Sequence, residues 1–519
     1  MRVRFSHVIV SGALFVAACG SPDGGPGESQ GQVLDSAAVA DTAPDLLAWG
    51  SEAAQQLRLD QTWTTDLDSM AQYRAIRVLV PFSRTYYFLD GGVQRGITYE
   101  AFREFEKYLN KELGTRGARR VHVLLIPTPR DHLLTGLVEG RGDIASAGLT
   151  ITPERREIVD FSQPFSTELR EVVVTGPGAP PLESLDDLAG KEILVRRSSS
   201  YYESLAALNR SFEAAGKPPM TLRPADEHME DEDLLEMVNA DLIPMVVVDE
   251  HKAELWAEVF NAITVRSDLA VRTGGQLAWA FRKNSPQLKA VVDRFVSRNK
   301  QGSYLFNVLW KRYWGDAEWI RNATSESEME RYRAVVDLFR QYSGEYGFPY
   351  LLMMAQGYQE SGLDQSVRSP AGAVGIMQLL PSTAADPNVG IPDISTAEDN
   401  VHAGVRYMEF LKRRYFTDEE IDQLDSMMFT MAAYNAGPAR IQRLRGVAAD
   451  RGLDPDVWFR NVELIVAEKV GRETISYVDN IYKYYAAYSM IAAEEEAKAE
   501  ARREAEAEAD AEAATGEGS

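Results

Sequence analysis

An α/β domain followed by an all-α domain is the architecture this sequence predicts, on three observations. Short β-branched runs alternate with helical stretches from about Arg74 to residue 248, strand patterns vanish after a polar stretch at about 316–330, and from there apolar residues recur only at helical spacing. At 519 residues the chain exceeds what one core fills, so two or three domains are expected. A hydrophobic content of 45% with 26% charged residues fits a soluble globular protein. The formal charge of −23 argues against nucleic acid, which wants a basic face, and against electrostatic docking on anionic lipid.

The chain opens with Arg2 and Arg4 ahead of a short apolar stretch, Val8 to Ala18, too brief to span a bilayer; residues 1–18 are expected to be a secretory signal. Val16-Ala17-Ala18-Cys19-Gly20 resembles the bacterial lipobox, which implies lipidation of Cys19, the only cysteine, and an anchor that does not cross the membrane. An ordinary signal with a nearby cysteine is the alternative. Gly20 after the cysteine, by the same resemblance, implies the periplasmic face of the outer membrane. Residues 19–70 begin Gly/Pro/Ser-rich and are expected to form the lipidated cysteine and a flexible tether.

In the α/β part, strands are expected at IRVLV (76–80), VHVLLI (121–126), within DIASAGLTIT (143–152), and at VVVT (172–175), EILV (192–195) and MVVV (245–248). Helices are expected over 99–113 and 130–139, with a mainly parallel sheet. The run GRGDIASAGLTITPERREIVDFSQPF (140–165), with GITYEAF (96–102) and VVVDE (246–250), resembles the family-3 periplasmic solute-binding proteins, whose two α/β lobes close over a ligand. The resemblance spans 71–314. It implies a site in which Arg155 offers a planar fork to a carboxylate, Thr150, Ser199 and Ser200 add donors, and Asp249 takes an ammonium, so the implied ligand is an amino acid or a cell-wall peptide (muropeptide). Arg155 and Asp249 could equally form a structural ion pair. Polar residues 315–330 are expected to link the two domains, and Trp310, Trp314 and Trp319 to pack at their junction.

In the second part, helices are expected over 331–343, 349–361, 398–415, 419–434, 455–470 and 473–490. The stretch Tyr350 to Ser361 is apolar nearly all round and ends on a single carboxylate, Glu360, with Gly362 as the expected C-terminal cap. Burial and the negative end of the helix both disfavour the anion, which suits a general acid near neutral pH. Asp364 is the nearest second carboxylate, but it falls beyond the Gly362 cap, where it is expected to close the loop.

The ordered set Glu360-Ser361, Gly375-Ile376-Met377-Gln378, Ala433-Tyr434-Asn435-Ala436-Gly437 and Glu473-Thr474 with Tyr477-Val478, supported by EDNVHAGVRYMEFL (398–411), resembles the soluble lytic transglycosylase domain. That is a goose-lysozyme-like all-α fold acting on peptidoglycan, and the resemblance covers 331–490. With the upstream binding domain, the whole resembles the membrane-bound lytic murein transglycosylase F family. The resemblance implies Glu360 as the catalytic acid/base, Tyr434 hydrogen-bonded to it, and Ser361, Met377, Gln378, Asn435 and Tyr477 along the sugar subsites. It implies cleavage between N-acetylmuramic acid and N-acetylglucosamine with a 1,6-anhydro product, modulated by the upstream ligand. A lysozyme-type muramidase, or a solute- or murein-binding receptor with an inactive helical domain, are the alternatives. No cofactor is expected, and the histidines show no metal-ligand spacing, so no metal is expected either. Residues 491–519, with ten acids against three bases, are expected to be a mobile acidic tail.

Overall fold

The computed structural model describes residues 61–90, 93–315, 317, 320, 326–471, 473–482 and a few later positions, 502 and 503 among them. The expected signal segment, Cys19, most of the tether and nearly all of the acidic tail lie outside the described residues. The chain forms two compact units, one α/β within 53–332 and one helical from 333–470 with 477–482.

The α/β unit carries β1 (Ala75–Val80), β2 (Phe88–Asp90), β3 (Val93–Arg95), β4 (His122–Pro127), β5 (Ile144–Thr150), β6 (Asp160–Phe161), β7 (Ser166–Thr175), β8 (Glu192–Val195), β9 (Thr221–Pro224), β10 (Met245–Asp249) and β11 (Thr264–Phe281). Seven strands make one sheet in the order β10-β7-β11-β5-β1-β4, with β6 on β11; β2-β3 and β8-β9 are separate pairs. The expectation of a mainly parallel sheet is corrected to a mixed one. β1 pairs parallel with β4 and β5, while β11 runs antiparallel to β5, β6 and β7, and β10 antiparallel to β7. The element responsible is the 18-residue β11, whose charged residues and Gly274-Gly275 hide its alternation in the sequence.

Two lobes result. One core gathers Val195, Leu205, Leu235, Val246, Val248 and Trp256; another gathers Ile76, Val78, Phe102, Phe105, Trp279 and Val292. β11 serves both, since Leu269 packs in the first and Trp279 and Phe281 in the second.

In the helical unit the expected helix over 349–361 is found at Tyr350–Ser361. Ala397–Tyr415 starts where the Thr396 side chain accepts from the Asp399 amide, and Gln423–Ala436 where Asp422 accepts from the Asp425 amide. Leu424 through Ala433 are all buried, so this helix is the centre of the unit. Pro438–Asp450 follows at once and was not expected; Gly437-Pro438 reads as a break, but proline is well placed in a first helical turn. The helix expected over 455–470 is divided, with an irregular turn at Trp458–Val462, where Arg460 is left-handed (φ 63°), ahead of Glu463–Lys469. A helix also begins at Glu326, inside the expected linker.

The folded α/β unit starts earlier than residue 71. Leu67–Tyr73 is helical with Leu67 and Met70 buried, and the Trp63 indole donates to Asp143 Oδ1 at 3.0 Å. Asp143 is fully buried at the head of β5; its Oδ2 accepts from the Arg77 amide at 2.8 Å, and Arg77 and Arg282 lie 3.1 and 3.6 Å from Oδ1. The Arg77 guanidinium also sits 3.5 Å over the Trp63 ring. One carboxylate thus balances two buried guanidinium groups and pins the incoming chain. Asp143→Ala strands both cations, and we expect a loss of about 3–5 kcal/mol in denaturant unfolding followed by tryptophan fluorescence. A loss below about 1 kcal/mol would show that Asp143 is not the counter-charge of this lobe.

Candidate active site

The Tyr350–Ser361 helix buries Leu352 through Gly357. At Gly357 a Cβ would come within 2.8 Å of Phe339 Cζ and 3.1 Å of Ile376 Cγ2, so the missing side chain lets the helix lie directly on the loop that follows it. The helix stops at Gly362, left-handed (φ 69°, ψ 28°), whose amide donates to Tyr358 O at 2.8 Å. Glu360 therefore stands in the last turn, half-buried at the edge of an apolar core.

Tyr477 supports it. The Tyr477 hydroxyl donates to Glu360 Oε1 at 2.5 Å. Glu360 Oε2 has no hydrogen bond to the described residues and remains available to a substrate. Burial pushes the Glu360 carboxyl up to about 7, opposed by the Tyr477 hydrogen bond, which lowers it; among the described residues no neighbouring carboxylate contributes. Burial also holds the Tyr477 hydroxyl well above its ordinary value, reinforced by the Glu360 charge, so it stays protonated and donates. Gln356, one turn before Glu360 and fully buried, lies against Tyr477. The expected partner, Tyr434, is corrected: its hydroxyl donates to Met377 O at 2.7 Å, although it is close enough to feel the Glu360 charge.

The loop after the helix is clamped from several sides. Ser361 Oγ donates to Ile376 O at 2.9 Å, Gln365 Oε1 accepts from the Ile376 amide at 3.1 Å, and Asn400 accepts from the Met377 amide and donates to Val374 O, both at 2.8 Å. Gly375 is left-handed (φ 75°), and a Cβ there would meet Gln365 Oε1 at 2.3 Å and Asn400 Nδ2 at 2.7 Å, so both the conformation and the space require glycine. Gln378 turns back on the loop, its Nε2 donating to Gly375 O at 2.8 Å. Met377 is fully buried, its amide held by Asn400 and its carbonyl by Tyr434, so in this structure it helps to fix the loop from inside. Asn435 is half-buried beside Tyr434 at the end of the central helix. Asp364 accepts from the Ser366 amide and hydroxyl at 2.7 Å each, closing the loop. Sequence reasoning missed Gln356, Gln365 and Asn400; Asn400 lies within the 398–411 stretch, and its burial among helical neighbours was its only signal.

In the α/β unit, the five expected ligand residues come together. Arg155 donates to Thr150 O at 3.1 Å and Ser198 O at 2.9 Å, and its Nε lies 3.2 Å from Glu203 Oε1. Ser199 caps the Ser200–Ala214 helix, accepting from the Tyr202 amide at 3.1 Å, and Ser200 Oγ donates to Thr150 Oγ1 at 3.4 Å. Asp249 Oδ2 lies 2.8 Å from Lys252 Nζ and accepts from the Tyr201 hydroxyl at 3.0 Å. Each charged member thus has a partner from the chain, and the cavity left among them is about 20 Å³. Trp310 and Trp314, expected at a domain junction, instead line an apolar cavity of about 90 Å³ inside the α/β unit with Tyr86 and His251; Trp319 lies outside the described residues.

Comparison with known proteins agrees with this division. The family "Bacterial extracellular solute-binding proteins, family 3" matches residues 78–311, and "Transglycosylase SLT domain" matches 337–454. The chain is similar to proteins named membrane-bound lytic murein transglycosylase F. That of Desulfosudis oleivorans is 26% identical over 80% of this chain and 90% of its own length. That of Ectopseudomonas mendocina is 27% identical over 79% and 83%, and that of Shewanella pealeana 26% over 77% and 82%. Both family models match in this order, and the similarity to proteins of that name runs through both domains.

Proposed function

We propose that this chain is a murein lytic transglycosylase that cleaves the bond between N-acetylmuramic acid and N-acetylglucosamine and leaves 1,6-anhydro ends. The observation that carries the reading is the Glu360 carboxyl, raised to about 7 by burial and hydrogen-bonded through one oxygen to Tyr477, with no second carboxylate acting on it among the described residues. A carboxyl poised there is substantially protonated at neutral pH and becomes a competent base once it has given up its proton.

The steps follow from that. Protonated Glu360 gives its proton to the glycosidic oxygen as the bond from that oxygen to the muramyl anomeric carbon breaks and positive charge develops on the sugar. The resulting Glu360 carboxylate then takes the proton of the muramyl 6-hydroxyl, whose oxygen bonds to the anomeric carbon. The acid is thereby regenerated and no water is consumed. Tyr477 steadies the carboxylate between the two transfers. Gln378, Tyr434 and Asn435, half-buried on and beside a loop fixed by Ser361, Gln365 and Asn400, would border the sugar subsites. Lipidation of Cys19, which lies outside the described residues, would hold the enzyme on the periplasmic face of the outer membrane. Consistent with an anchor of that kind, no described helix is long and apolar enough to cross a membrane. The α/β unit would modulate cleavage through a ligand of the amino-acid or cell-wall-peptide class, an idea supported by the matched solute-binding domain.

Two measurements test the catalytic reading. Tyr477→Phe removes the hydrogen bond that lowers the Glu360 pKa, so the alkaline limb of the pH–rate profile should move to higher pH while kcat on purified murein falls about tenfold. An unmoved limb would remove Tyr477 from the site. Glu360→Gln should abolish murein digestion, by about 10³-fold or more, and should also stabilise the protein at alkaline pH. The sign follows from linkage. The folded-state pKa lies above the ordinary value, so wild-type stability from this group is complete at low pH and is lost as pH rises through about 7. The glutamine variant should therefore unfold at higher temperature at about pH 8, by on the order of 1–3 kcal/mol, with the gap narrowing towards about pH 4. Retained digestion, or a glutamine variant less stable at alkaline pH, would contradict the assignment.

A further inference from the structure

Lys252 places its ammonium in the cleft of the α/β unit where the family resemblance puts a ligand's ammonium. All three of its donors are used: Nζ lies 2.8 Å from Asp249 Oδ2, 2.7 Å from Asp231 Oδ2 and 3.0 Å from the Tyr201 hydroxyl. The residue is buried, and its Nζ also sits 5.4 Å over the Tyr86 ring. Around it the charge is balanced. Arg130 makes a two-pronged contact with Glu230, 2.7 Å on each prong, and Arg196 pairs with Asp231, so three cations meet three carboxylates, Glu230, Asp231 and Asp249. Burial alone would push the Asp231 carboxyl up, but Lys252, Arg196 and Arg130 hold it well below its ordinary value.

At the other end of the cleft Arg155 faces Glu203 at 3.2 Å, so the anion-binding fork also has a carboxylate beside it. The space between, about 20 Å³, holds roughly one water.

The two ends differ in how they would respond to opening of the lobes. Arg130–Glu230 and Arg155–Glu203 join residues of different lobes, so parting the lobes would break them. The Lys252 contacts do not depend on closure. Asp249 ends β10, Lys252 follows three residues later on the Glu250–Ala257 helix, and Tyr201 and Asp231 belong to the same lobe, so the ammonium travels with its acceptors. Lys252 and Arg196 balance Asp231 and Asp249 within that lobe whether or not Arg130 meets Glu230, so a free amino acid would bring a second ammonium to Asp249, whose Oδ2 already has Lys252 and Tyr201, at a cost of several kcal/mol.

We infer that Lys252 is a resident ammonium that fills the ammonium subsite in open and closed lobes alike, and that it excludes free α-amino acids from the cleft. The inference rests on the solute-binding reading of the α/β unit and narrows its ligand; it takes nothing from Glu360. The test is thermal shift and calorimetry on the full chain with each of the free proteinogenic L-amino acids at millimolar concentration. Wild type should show no shift. Lys252→Ala, or Lys252→Met if the alanine variant loses its fold by circular dichroism, leaves the cluster one positive charge short. It should gain binding of at least one amino acid, about 100-fold or more tighter than wild type. Adding Asp249→Asn should remove the gain. Three results would overturn the inference: wild type binding a free amino acid as tightly as the lysine variants, folded lysine variants that gain nothing, or a gain that survives Asp249→Asn. Because binding is the readout, any of these leaves the reading of the helical unit as an enzyme untouched.

Discussion

The 2.5 Å hydrogen bond from Tyr477 to Glu360 joins residues 117 positions apart, and the chemistry proposed for this chain depends on it. Everything around it acts to hold one carboxyl at one edge of an apolar core. The Tyr350–Ser361 helix brings Glu360 there, Gly357 lets the helix lie on the loop, and Gly362 ends the helix one residue past the pair Glu360-Ser361. Burial raises the carboxyl and the tyrosine restrains it, so its pKa rests near the pH at which it must both give and take a proton. A carboxyl left in water would be ionised there, and one buried with no donor would resist ionising at all.

The α/β unit shows the opposite use of buried charge. In the helical unit a carboxyl is left short of counter-charge and stays reactive; in the cleft each carboxylate has its cation and the cluster is quiet. Lys252, Arg130 and Arg196 against Glu230, Asp231 and Asp249 make a neutral group that needs no ligand to be stable. The solute-binding architecture is thus present while the charges that would greet a zwitterion are already matched. A ligand for this unit has to compete with Glu203 for Arg155, or bind without presenting an ammonium to Asp249.

Much of this was legible in the sequence, and what was not has physical reasons. Glu360, its apolar helix and the Gly362 cap are local features, readable from periodicity and one glycine. The five cleft residues came from the solute-binding resemblance, and the fold brings them near one another. The exchange of Tyr434 for Tyr477 could not be read, since both tyrosines approach Glu360 from distant segments and only packing decides which hydroxyl reaches it. Met377 was expected at a subsite together with its neighbours; its burial depends on Gly404 in another helix, where a Cβ would lie 2.5 Å from Met377 Cγ. Lys252 gave no signal, since a lysine three residues into a helix reads as solvated. β11 escaped because its charges and glycines break the alternation that marks a strand.

The central claim is that one carboxyl serves both proton transfers and that the muramyl 6-hydroxyl, not water, closes the reaction. Mass spectrometry of the fragments released from purified sacculi by the wild-type chain, beside Glu360→Gln, tests it most directly. The account predicts muropeptides ending in 1,6-anhydro-N-acetylmuramic acid from wild type, lighter by one water than hydrolytic products, and none from the variant. Reducing ends without anhydro products would contradict it and make the enzyme a hydrolase on the same fold.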